Sequence, residues 1–154
     1  MGLQHLFPAV EKRYPGSLGA VYFLGLLTVL STARSLVHVF APDGGAGSIA
    51  GIALHVAGGP NIVALFGQWG ASQLVLALVQ WLVLVRYRFL VPAMLALVAC
   101  EQLLRLLSGA LKPLQVATPP PGTYGTYLVL PLTLLFLWLS LRPVAPASRA
   151  GMLS

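Results

Sequence analysis

The sequence predicts an all-α integral membrane protein: an antiparallel four-helix transmembrane bundle forming a single domain over residues 1–154. Three observations carry that prediction. Of the 154 residues, 58% are hydrophobic and 8% charged, against roughly a quarter charged in soluble domains. Four segments stay apolar over the ~20 residues that a spanning helix needs. The basic residues, finally, gather on one side of these segments, as topology signals do.

The first span, 17–40, follows Lys12 and Arg13. A basic stretch before an apolar run also opens a secretory signal peptide, with Ser31 and Ala33 as the small residues of a cleavage site. The run is long for such a signal, which favours a retained helix. The second span, 61–85, comes after the Gly-rich loop PDGGAGSIAGIALHVAGGP. Within that loop, residues 46–58 are apolar but interrupted by Gly47, Gly51 and Gly58, and too short to cross a bilayer. They suit a short re-entrant or interfacial helix over the outer mouth of the bundle, or a flexible loop.

The third span, 89–111, follows the tight basic turn Arg86-Tyr87-Arg88. Pro113 and Pro119 to Pro121 cannot continue a helix interior and punctuate its end. The fourth span, 124–141, contains Pro131, which frees a backbone carbonyl and is expected to bend the helix. Residues 142–154 remain as a short cytoplasmic tail.

Orientation follows from the basic residues of the short loops. Lys12, Arg13, Arg86, Arg88, Arg142 and Arg149 fall on one side, with Lys112 and Asp43 on the other, so both termini are expected in the cytoplasm. Trp81, Tyr87 and Trp138 then lie near the cytoplasmic boundary and Tyr124 and Tyr127 near the outer one, as amphipathic rings tend to. Trp69 is deeper and is expected to pack or to line something. In type, the chain resembles the small four-span proteins of bacterial inner membranes.

Several classes are disfavoured. The formal charge of +6 comes from scattered residues, not a cationic patch interleaved with aromatics, so no nucleic-acid partner is expected. The single cysteine, Cys100, allows neither an intrachain disulfide nor a CxxC pair, and reads as a small buried apolar residue. No P-loop, dinucleotide fingerprint, HExxH or GxSxG motif is present. His5, His38 and His55 lie on separate segments. No metal or cofactor is therefore expected.

The polar residues inside the spans are the informative ones. Ser31, Arg34, Ser35 and His38 share one face of the first span by their three- and four-residue spacing, and Glu101, Arg105, Ser108 and Lys112 share one face of the third. With the second span running inward, Gln68, Trp69 and Gln73 occupy its outer half. Three helices thus converge on one depth. A charge at the centre of a spanning helix costs about 2.5–3.5 kcal/mol, so Glu101 is expected to accept hydrogen bonds from Arg105 and, across the interface, from Arg34.

Two positive charges then face one negative charge. Arg34, His38, Gln68, Gln73, Glu101 and Arg105 are the candidate ligand-binding residues, and an amphiphile with an anionic or hydrogen-bonding head, such as a lipid, isoprenoid or quinone, is the ligand class that fits. The partners implied are membrane lipids and such a ligand, together with a homo-oligomer or a larger membrane complex that the chain would serve as an accessory subunit. Three alternatives compete: an intramembrane enzyme with Glu101 as general acid or base, an oligomeric channel or transporter, and a cluster that only fixes helix register. Gly67 with Gly70, and Ser108 with Gly109, are candidate small-residue packing surfaces.

Overall fold

A computed structural model of the chain describes residues 13–143. Lys12, Arg149 and most of the 142–154 tail lie outside the described residues. Four helices are found among the described residues: α1 (Leu18–Phe40), α2 (Gly59–Val85), α3 (Val91–Leu111) and α4 (Pro121–Ser140). A 3₁₀ turn, Arg88–Leu90, leads into α3. Each of the four spans is long and apolar enough to cross a membrane.

The helix starts follow from local chemistry. Ser17 caps α1, its hydroxyl accepting from the Gly19 N–H at 3.2 Å, which satisfies one of the free amides of the first turn. Each of the other three helices opens on a proline in its first turn, where the missing N–H costs nothing. The helix of the fourth span begins at Pro121, three residues before Tyr124. The prolines that close the third span also open the fourth, with Pro120 as its cap. The helix then continues through Pro131.

Residues 41–58 form turns over 42–50 and 57–58 joined by irregular chain, and not a short helix. Gly44, Gly45 and Gly51 adopt positive φ, at 58°, 75° and 68°, a conformation that breaks a right-handed helix. The loop is nonetheless built. The Asp43 carboxylate accepts from Ser48 N at 2.6 Å and Gly45 N at 2.8 Å, and these two amides hold it well below the usual carboxylate range, at about 2. Ala46 and Ala50 are buried, whereas His55 is exposed.

Packing divides the molecule into two pairs, α1 with α2 and α3 with α4, with sparser contacts between the pairs. Close approach within the first pair centres on Gly70, where an added Cβ would lie 2.5 Å from the His38 Cβ and 3.2 Å from the Ser35 carbonyl oxygen. Gly67 faces the His38 carbonyl at 3.7 Å. The expected packing surface of these two glycines is present, while a Cβ at Gly109 would meet nothing.

The apolar core gathers at the end of the bundle that carries the 86–90 turn, hereafter the turn end. Leu24, Leu27, Val83, Leu84, Val91, Leu95 and Val98 are buried there, and Phe23 stacks on Phe136 with centroids 4.3 Å apart. Just beyond, Thr28 donates to Gln80 at 3.2 Å. Cys100, expected inside, is exposed. It lies one residue past the buried Val98–Ala99 pair, a step of about 100° around a 3.6-residue helix.

Candidate functional site

At the opposite end, which carries residues 41–58 and 112–120 and is hereafter the loop end, the two helix pairs diverge around a cavity of about 1040 Å³. All four helices and both connecting segments contribute to its wall. Of the six sequence-derived candidates, five line it: Arg34, His38, Gln73, Glu101 and Arg105. Gln68 does not. The inward face of α2 runs through Phe66, Trp69, Gln73 and Gln80, and Gln68, out of phase with that stripe, is exposed.

The arginines are held differently. On α3, Arg105 is four residues after Glu101, and its Nε and Nη2 both donate to Glu101 Oε1, at 3.0 and 2.8 Å. This is a charge-assisted pair within one helix. On α1, Arg34 donates through Nη2 to Gln73 Oε1 at 3.2 Å and not to Glu101 as expected. The neighbouring helix α2 supplies the nearest acceptor because Gly70 brings it so close. Arg34 Nε is buried without a hydrogen-bond partner, a position that carries a desolvation cost.

Trp69 joins the two cations. Both guanidinium carbons lie 5.1 Å from its ring centroid, within range of cation–π attraction. The His38 ring lies 4.8 Å from the same ring, and Phe66 meets both edge-on, at 5.6 Å from His38 and 5.9 Å from Trp69. Trp69 was legible only as a residue that packs or lines something. Its meeting with arginines from two other helices has no local sequence signature.

His38 is 6% exposed. Its Nδ1 lies 2.7 Å from the Gly44 carbonyl oxygen. A carbonyl only accepts, so Nδ1 carries the proton and donates. The histidine therefore fastens the 41–58 loop to α1. Its other nitrogen, Nε2, is buried and has no partner.

Lys112 and Ser108 continue the α3 stripe into the cavity wall. Counting Arg34, Arg105 and Lys112 against Glu101 leaves two positive charges in excess around it. Ile49, Leu104, Leu114 and Val116 supply apolar wall. Among the described residues no group of three His, Cys, Asp or Glu is placed to hold a metal ion. The arrangement suits capture of an anion whose remainder is apolar.

A second void of about 140 Å³ adjoins the first and shares part of its wall. Arg34, Glu101, Gly122 and Thr126 border both, and Leu27, Leu30, Val98, Gly125 and Val129 line the remainder together with the polar Ser31, Gln80 and Gln102. Comparison with known protein families, with characterised proteins and with solved structures finds no match, so the function is read from this chain's own geometry.

Proposed function

We propose that the chain is a polytopic protein of a bacterial inner membrane, an antiparallel four-helix bundle with both termini cytoplasmic. Its function in this reading is to bind an amphiphile with an anionic head in the outer half of the bilayer, alone or as an accessory subunit of a membrane complex. The pairings of Thr28 with Gln80 and of Arg34 with Gln73 support opposed directions for α1 and α2. The basic residues of the loops support the orientation.

The observation that carries the binding reading is the surplus of two cations around an apolar-walled cavity, with Arg34 Nε left buried and unpaired in one of them. An intramembrane cation requires a partner or water, and an anionic head would supply it. The experiment is lipid extraction from protein purified in lipid nanodiscs, followed by mass spectrometry of what co-purifies. An acidic amphiphile enriched over the bulk lipid, and lost from folded Arg34→Gln and Arg105→Gln proteins, is the expected result. Equal recovery from wild type and both variants refutes the reading.

A further inference from the structure

Given that reading, we infer that the second void is the chain-binding half of the same site, and that the ligand is a bilayer amphiphile with a phosphate head. Its phosphate would sit among Arg34, Arg105 and Lys112, and its hydrocarbon chain would run into the groove between α1, α3 and α4.

The two voids meet at Arg34, Glu101, Gly122 and Thr126. From that junction the groove descends toward the turn end: Leu27 lies seven residues below Arg34 on α1, about 10 Å along a helix. Val98 and Val129 descend in step on α3 and α4. The charged groups stand at the junction, and below it Leu27, Val98 and Val129 supply apolar wall, with Gln80, engaged by Thr28, as the polar side chain at their depth. A volume near 140 Å³ is close to the ~150 Å³ in which an apolar cavity accepts a benzene ring, so the groove takes about the first six carbons of the chain.

Glycine marks the space. A Cβ built on Gly122 or Gly125 meets no atom within 4 Å, so packing within the chain does not demand glycine there, although glycine inside a helix costs about 0.5–1 kcal/mol relative to alanine. The missing side chains keep the groove open. An independent sign of a ligand is His38, nine-tenths buried in the cavity wall with Nε2 unpartnered. A phosphate monoester supplies acceptor oxygens for the arginines and, in its singly protonated form, a P–OH that can donate to the Nε2 lone pair; near neutral pH it carries about −1.5 to −2 charge, which matches the surplus of two cations.

The test uses the full chain in nanodiscs of zwitterionic lipid, with empty nanodiscs as the blank and two probes, methyl phosphate and hexyl phosphate. Binding is read by isothermal titration calorimetry. On wild type, hexyl phosphate is expected to bind at least tenfold more tightly than methyl phosphate. Gly125→Leu fills the groove and should reduce that advantage to twofold or less while methyl phosphate binding stays unchanged. Gly125→Ala, which leaves most of the groove free, should keep most of it.

Equal affinity of the two probes on wild type overturns the chain groove but leaves the cationic site standing. So does an advantage undiminished in Gly125→Leu. Failure of both probes to bind wild type overturns the anionic-head reading and this inference with it.

Discussion

At the turn end, Leu24 and Leu95 are completely buried and two phenylalanines stack; at the loop end, the same four helices part around charged side chains and open space. The difference lies in what each pair of helices offers the other. Near the turn, large apolar side chains interdigitate across the pairs, and dispersion between well-packed groups holds helices together even where lipid solvates apolar surface as well as protein does. Near the loops, the inward positions are arginine, glutamate, histidine and glutamine, which pair only in part and do not fill the gap. Stability belongs chiefly to one end and chemistry to the other, and substitutions should separate them.

The largest effect should come from the point where α1 and α2 pack closely near the loop end. Gly70→Ala places a Cβ 2.5 Å from that of His38 and must push α1 from α2. A loss of about 1–3 kcal/mol, the usual range for overpacking, is expected in reversible unfolding in mixed micelles. Full stability would show that the two helices are not locked there. Leu24→Ala at the turn end should cost about 2 kcal/mol, at the low end of buried leucine truncations, because detergent or lipid also solvates the removed methyl groups. Its ligand binding should be unchanged once folded.

Glu101→Gln sharpens the contrast further. Its ion pair with Arg105 is four residues apart on one helix and is partly exposed on both sides, and such pairs contribute about 1 kcal/mol or less. The variant should unfold within that margin of wild type while its anion binding changes. A loss of 3 kcal/mol or more would make the cluster a structural device.

The smallest effect concerns the 41–58 loop. The Asp43 carboxyl sits at about 2 in the folded chain against about 3.9 when unfolded. A depressed folded value means that its contribution is complete above about pH 4 and disappears as the pH falls through about 2. The protection of the Gly45 and Ser48 amides against hydrogen exchange, taken relative to the intrinsic rate at each pH, should therefore fall across that interval, and Asp43→Asn should remove the dependence.

Much of this division was legible in the chain. Apolar runs long enough to span, punctuated by prolines and glycines, marked four helices, because hydropathy and length constrain them directly. Spacing of three and four placed Arg34 with His38, and Glu101 with Arg105, on shared faces. The partners across helices were not legible. Arg34 goes to Gln73 and not to Glu101 because Gly70 fixes how closely α1 and α2 approach, a three-dimensional register that no local pattern encodes. Gln68 shares their depth, but depth does not say which way a side chain points, and the same holds for Cys100.

The lengths of the helices have a consequence of their own. At 1.5 Å per residue, the 27 residues of α2 extend about 40 Å, whereas the 20 residues of α4 extend about 30 Å, the thickness of a typical hydrocarbon layer. The contact of His38 with Gly70 places the excess of α2 at the end where the loop folds over it. Phe66, part of the aromatic wall, belongs to that overhang. In a bilayer such a mismatch is relieved by tilting the long helix or thickening the surrounding lipid, so membrane thickness would set how far the cavity's rim stands in headgroups or in acyl chains.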